Sequence, residues 1–514
     1  KTALWIAESQ MILETESILS QNIDFLPLTN HANIIEGKAL RLDWATLSEH
    51  EDLGLLFTEK LNIFEKAPYN EPLKVCEPTA EESVMMQRHF KELNVVAKEV
   101  EYKIEPKSER QEPIVYDYII GNPPFSGARI MRKESEQKKD IADTFADVKG
   151  AGNLDYVCCW YKKAAEYMRG KATKTALVST NSIIQGEHVA ILWKLIFGMG
   201  IQIDFAYRTF KWYSESSDMA HVHCVIIGFS DTKSAQKQKF IIDADGKRTA
   251  ATNINGYLLD MPNVYIENRK KPLCAVTNMV FGSMANDGRN LLIEESEYDN
   301  FVKHDPASKK YIKQIVGSEE FINGKLRYCL WLVDASNLAA TPWLFGEIRQ
   351  PKDGHYLLVP RVSSYNRRYV PIGFVSADII ASDATLLIPN ATLYDFGIMT
   401  SSVHNDWMRV VAGRLKSDYR YSASLVYNNF PWCSPTAEQK AAIEQTAQAI
   451  LDARTNHPDS SLADLYDETF MPPDLRKAHE ANDKAVKQAY GFNLKMTESE
   501  CVAELFKMYE HLAK

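Results

Sequence analysis

The sequence predicts an α/β domain with a mostly parallel sheet, then a mixed α+β domain, then a small helical region. Three observations predict this. Strand-like runs alternate with helical stretches through the first 230 residues, turn signals crowd together from about residue 231, and after Pro435 the apolar spacing becomes helical. The expected limits are 1–230, 231–435 and 436–514, and a chain of 514 residues has room for cores in each.

In the first segment, Asn33-Ile34-Ile35-Glu36-Gly37 is a short β-branched run. Ile114 to Ile120 is nearly all strand formers, and Thr175 to Ser179 follows a helical stretch from Asp155 to Arg169. Ile201 to Phe210 and Ala220 to Phe229, joined by the polar stretch Tyr213 to Asp218, read as a closing antiparallel pair, with the sheet ending near Ser230. The charged stretch Arg129 to Lys149 reads as a mobile loop. Asp245-Gly246, Asn255-Gly256, Asp287-Gly288, Asn323-Gly324 and Asp353-Gly354 punctuate the second segment. In the third, Thr436 and Gln439 have capping-box spacing, and Ile443, Ala447, Ile450 and Leu451 share one helical face. The chain begins Lys1-Thr2-Ala3-Leu4-Trp5 without a methionine, like the inside of a helix, which predicts an artificial or processed boundary.

Composition excludes several classes. Hydrophobic residues are 45% and charged residues 25%, with 23 glycines and 21 prolines, so the chain is neither disordered nor collagenous. No apolar run approaches the roughly 18–20 residues that span a bilayer. Eight cysteines without a C-x-x-C pair predict reduced thiols in a cytoplasm and no structural zinc. Residues 231–430 carry 24 Lys+Arg against 21 Asp+Glu, a balance of +3, while the remainder carries −12. With a pI near 5.8 the protein does not coat nucleic acid nonspecifically, but a local patch can hold a duplex.

The sharpest motif is Gly121-Asn122-Pro123-Pro124-Phe125, directly after the strongest strand run. Average composition places Asn-Pro-Pro-Phe in roughly a few chains per thousand of this length. Open α/β sheets bind ligands outside the carboxyl ends of their strands, where this turn falls. The residue types suit an exocyclic amine on a base, a poor nucleophile whose hydrogens must be accepted for its nitrogen to become pyramidal. Asn122 offers a side-chain carbonyl, Pro123 a backbone carbonyl aimed by the stiff prolines, and Phe125 a flat face for a base withdrawn from the helix. A rigid turn without chemistry is the plainer alternative.

This motif, with Ala3 to Met11, Glu36 to Trp44, Val178 to Ile183, Phe205 to Trp212, Gly413 to Tyr421 and Asn428 to Trp432, resembles the gamma-type DNA adenine-N6 methyltransferases, and more closely the MmeI-like fused restriction–modification enzymes of type IIG/IIL. The resemblance implies an incomplete Rossmann-like methyltransferase sheet over 1–230, a target-recognition domain over 231–435 and a C-terminal helical cap. It implies S-adenosylmethionine as methyl donor, double-stranded DNA as partner, and Asn122, Pro123, Pro124 and Phe125 as the catalytic turn. It also places Lys38, Ala39 and Asn122 at the cofactor, with Lys38 standing where the family usually has Asn or Asp. The family's glycine-rich cofactor loop and the acidic residue for the ribose are not in this chain, so upstream nuclease and cofactor-loop regions of the same polypeptide are expected before Lys1.

Arg361-Val362-Ser363-Ser364-Tyr365-Asn366-Arg367-Arg368-Tyr369 mixes guanidinium groups, hydroxyls and aromatics, as a surface contacting phosphates and base edges would. Arg414, Lys416, Tyr419, Arg420 and Tyr421 form a similar cluster, and the expected DNA contacts are Arg361, Ser363, Ser364, Arg367, Arg368, Arg414, Lys416, Tyr419 and Arg420. Asn428-Asn429-Phe430-Pro431 echoes the catalytic turn without its second proline and reads as a structural junction. His221 and His223 read as ordinary strand histidines, and His188 and His404 are assigned nothing. Three alternatives remain open: a DNA-binding module inactive for want of a complete cofactor site, a methyltransferase acting on a protein glutamine or on RNA, and a cytosine-N4 target.

Overall fold

The computed structural model describes residues 39–42, 44, 115–133, 135–212, 222–234, 238–285, 288, 290–332, 345, 348–415 and 417–513. Residues 116–514 form one compact unit. The expected strand Asn33–Gly37, the start at Lys1 and the connection Tyr213 to Asp218 lie outside the described residues.

The first sheet runs β1 (Tyr118–Gly121), β2 (Lys174–Thr180), β4 (Val222–Asp231), β3 (Ile201–Trp212), β5 (Lys239–Ile242), β6 (Arg248–Ala251) in spatial order. β1 and β2 are parallel, with Tyr118 opposite Lys174 and Gly121 opposite Leu177. Parallel neighbours need a crossover, which helices α1 (Glu136–Thr144) and α2 (Cys158–Met168) supply. α2 buries Cys158, Tyr161, Ala164, Ala165 and Met168; Tyr161 stacks on Phe229 at 5.3 Å and donates its hydroxyl to the Leu177 carbonyl at 3.2 Å. Each large side chain buried this way contributes about 1.5–3 kcal/mol. β4 runs antiparallel to both β2 and β3, as the closing pair predicts. Glycine is required at Gly228, where a Cβ would stand 2.0 Å from the Phe205 ring.

Two expectations are corrected here. The sheet does not end near Ser230: β5 joins β3 in parallel and turns at Asp243–Lys247 into β6. That hairpin's Asp-Gly turn looks in sequence like the start of a new domain. Nor is Arg129 to Lys149 one loop, because it holds α1, capped by the Ser135 hydroxyl accepting from the Lys138 N–H at 3.3 Å. Ile141 and Phe145, one helical turn apart, are both buried, and so few apolar anchors in a charged run hide the helix from a sequence reading.

The second region builds two four-stranded sheets from β7 (Val280–Phe281), β8 (Leu292–Glu294), β9 (Ile312–Val316), β10 (Arg327–Leu330), β11 (His355–Pro360), β13 (Gly373–Ser376), β14 (Ile380–Ala381) and β15 (Thr385–Pro389), in the orders β14-β9-β10-β8 and β13-β11-β15-β7. A third sheet joins β12 (Val362–Ser363), β17 (Asp418–Arg420) and β16 (Gly413–Leu415). Between β15 and β16 the chain forms α3 (Leu393–Thr400) and α4 (Ser402–Val411). The tail is helical as expected: α5 (Ala437–Thr455) starts with the Thr436–Gln439 capping box and buries Ile443, Ala447 and Ile450, and α6 (Pro473–Tyr490) and α7 (Glu498–Ala513) follow. α3 meets α5 so closely that a Cβ on Gly397 would lie 2.6 Å from Ile443, and the Gly397 carbonyl accepts the Asn482 amide at 2.8 Å.

Candidate active site and DNA-contact surface

Asn122–Phe125 leaves the sheet at the carboxyl end of β1. Pro123 is buried, Asn122 and Pro124 are exposed, and Phe125 keeps 37% of its surface open. Among the described residues nothing donates to the Pro123 carbonyl and nothing pairs with the Asn122 amide, so the turn spends none of its polar groups on itself. It is held from behind. The Tyr156 N–H donates to the Ser126 carbonyl at 2.9 Å, the Ala128 N–H to Asp155 Oδ1 at 2.8 Å, and the Ser126 hydroxyl to Gln137 Oε1 at 3.1 Å.

Asp155 is the centre of that support. The Ser182 hydroxyl donates to its Oδ2, and His188 Nε2 stands 3.4 Å from its Oδ1 and 3.1 Å from its backbone nitrogen. Burial alone would raise the Asp155 carboxyl. The hydrogen bond and charge of His188, with the Ser182 hydroxyl and Ala128 N–H, outweigh it and hold the group below its ordinary range. Of the residues assigned to the cofactor, Lys38 lies outside the described residues. Ala39 sits in a turn over 39–42 whose first carbonyl accepts Trp44 Nε1 at 2.8 Å.

The two basic clusters, some fifty positions apart, meet in the third sheet: Val362 pairs with Arg420, Ser363 with Tyr419, and Tyr419 with Arg414. Arg361 donates to the Asp383 carbonyl at 2.7 Å and lies 4.9 Å from the Phe281 ring centre; burial lowers its pKa, the charge of Asp383 opposes this, and the charge of Arg129, in the loop after Phe125, lowers it further. Arg414 sits 3.6 Å from the Tyr419 ring centre and donates to the Ser417 carbonyl at 2.9 Å. Ser363 and Tyr419 are buried, and Ser363 Oγ, Arg414 Nε and Arg420 Nη1 are buried atoms without a partner among the described residues. Ser364 accepts the Arg367 N–H on its carbonyl at 3.2 Å; burial lowers the Arg367 pKa. Arg368 is exposed and lines a cleft of about 410 Å³ with Asp406, Arg409, Glu480 and Asp483, towards α4 and α6. Lys416 and His221 lie outside the described residues.

The chain matches three family models: MmeI, DNA-methyltransferase domain, over residues 1–243; MmeI, target recognition domain, over 260–338 and 333–434; and MmeI, C-terminal domain, over 435–514. It belongs to the MmeI family of DNA methyltransferases. The DNA methyltransferase A of Bacillus subtilis (strain 168) is 38% identical over 429 residues, which cover 77% of this chain and 48% of that protein. The solved structure of the type IIL restriction–modification enzyme MmeI in complex with DNA matches with a TM-score of 0.77 at 36% identity, over 99% of this chain and 64% of that one. This MmeI-family chain therefore spans about half the length of the curated relative.

In this family member the sequence reading missed Asp155, which accepts from the Ala128 N–H just after Asn122–Phe125, and its neighbours Ser182 and His188. Ser182 and His188 follow the carboxyl end of β2, where a site is expected, while Asp155 precedes α2, and nothing in the sequence pairs them. The junction reading of Asn428-Asn429-Phe430-Pro431 fits its burial: Asn429 Nδ2 donates to the Glu267, Ser424 and Leu425 carbonyls at 2.9, 3.1 and 2.9 Å.

Proposed function

We propose that this chain carries the catalytic turn and the target-recognition part of an enzyme that methylates adenine N6 in duplex DNA, within a longer cytoplasmic restriction–modification polypeptide whose nuclease and cofactor-loop regions precede Lys1. The observation that supports it most is the turn itself: among the described residues nothing occupies the acceptors of Asn122 and Pro123, and Phe125 keeps an open face, at the carboxyl end of a strand. The Asn122 side-chain carbonyl and the Pro123 carbonyl accept the two hydrogens of the target amine. This draws the nitrogen lone pair out of the ring, while Phe125 stacks on the extruded base. S-adenosylmethionine supplies the electrophilic methyl group on a sulfur that leaves readily. The exposed Asn122 leaves the strand end open for such a ligand.

The small sheet carrying Arg361, Ser363, Arg414, Tyr419 and Arg420, with Ser364, Arg367 and Arg368 near it in sequence and Lys416 in the segment between Leu415 and Ser417, holds the duplex. Its buried donors without a partner among the described residues, each costing about 1–3 kcal/mol, favour rearrangement onto phosphates. The test is nucleoside analysis of duplex DNA incubated with the full-length polypeptide and S-adenosylmethionine. N6-methyladenine is expected; N4-methylcytosine would overturn the choice of base, and no methylated nucleoside would overturn the enzyme reading.

A further inference from the structure

The turn that follows Phe125 ends in an apolar side chain held out into solvent. Ile130 is 82% exposed, and a lone exposed isoleucine is ordinary on any surface. Its mounting is not ordinary. The Ile130 and Met131 N–H groups both donate to the Gly127 carbonyl, at 2.9 and 3.3 Å, closing a tight turn. One leg of that turn is fixed by the Ala128 N–H on Asp155 at 2.8 Å, and the other by Met131, which is buried. Between the two anchors only Arg129 and Ile130 project, both exposed. Ile130 is therefore presented on a rigid support five residues after the exposed Phe125 ring, with a guanidinium beside it.

A base drawn out of a duplex leaves a gap and unstacked neighbours, and a flipped state is stabilised when an apolar side chain fills that gap. Such a wedge has to be apolar, stiffly mounted and next to the stacking face, with positive charge nearby for the flanking phosphates.

We propose that Ile130 is a wedge that enters the duplex at the target step, with Arg129 on the adjoining phosphate. This rests on the reading of Asn122–Phe125 as the base-flipping catalytic turn. Ile130 touches DNA rather than the reacting atoms, so its loss acts on extrusion and not on methyl transfer.

The test uses the full-length enzyme, after its site has been read by sequencing the DNA it methylates. Two duplexes carrying that site are compared, one fully paired and one with an abasic position opposite the target base, which is cheap to extrude. Ile130→Ser is expected to slow methylation of the paired duplex about 10-fold while staying within about 2-fold of the unmodified enzyme on the abasic one, and Ile130→Leu to restore the paired rate. Equal rates for Ile130→Ser and the unmodified enzyme on paired DNA would overturn the wedge, and so would an equal loss on both duplexes. Absence of any methylated site in that sequencing would overturn the functional reading, and the wedge with it.

Discussion

Asn122-Pro123-Pro124-Phe125 and Asn428-Asn429-Phe430-Pro431 use the same three residue types and lie in opposite environments. In the first, Asn122 is exposed and makes no hydrogen bond among the described residues, and Phe125 is partly open. In the second, Asn429 is fully buried with its amide donating to three carbonyls, and Phe430 is fully buried against His404 and Trp407, with ring centres 4.9 and 6.0 Å away. A side-chain amide whose donors are spent inside the fold works as architecture, even though Asn429 Oδ1 finds no partner among the described residues, whereas an exposed one at a strand end is open to a ligand. The difference lies in burial and partners, not in composition.

The largest effect that would sharpen this contrast is on stability. Phe430→Ala is expected to lower unfolding free energy by about 3–5 kcal/mol, measured by denaturant titration, while Phe125→Ala leaves it within about 0.5 kcal/mol. Equal losses at the two sites would break the comparison. Asn429→Ala strands three carbonyls and should cost about 1–3 kcal/mol, against no measurable loss for Asn122→Ala.

Asp406 extends the rule to charge. Burial, then the negative charge of Glu498, pushes its carboxyl up to about 7. An unfolded aspartate releases its proton near pH 4, so the folded state holds a proton that the unfolded state has lost, and stability falls as pH rises from about 4 to 7. Asp406→Asn removes that slope and is expected to gain about 1–2 kcal/mol at pH 8, read by thermal melts across pH. Asp155 behaves in the opposite sense: its depressed carboxyl stabilises the fold above the ordinary carboxylate range, and that contribution is lost as pH falls through the depressed value. Asp155→Asn should therefore be less stable by about 1 kcal/mol at pH 7, a gap that closes in acid. A gap that widens in acid would contradict the His188 and Ser182 partnership.

What could be read from sequence was local. The strand run ending at Gly121 and the Thr436–Gln439 capping box are written in neighbouring residues, and both appear in the fold. The strand itself is shorter than the run, since only Tyr118–Gly121 pairs with β2. Helix α1 escaped because its apolar face is reduced to Ile141 and Phe145 within a charged stretch. The hairpin of β5 and β6 escaped because an Asp-Gly turn marks a hairpin and a domain border equally well. The contact of Asp155 with Ser182 and His188 spans 27 and 33 positions, and the union of residues 361–369 with 413–421 in one sheet spans about fifty. Such pairings are set by tertiary packing, which one sequence does not display.

The central proposal is that Asn122, which has no hydrogen-bond partner among the described residues, serves the target amine. The most direct measurement follows methylation and duplex binding together on the full-length enzyme and its Asn122→Ala form. Methylation should fall by at least about 10³-fold, with duplex affinity within about 3-fold and the melting temperature unchanged. Methylation retained by Asn122→Ala, with the fold intact, would contradict the account.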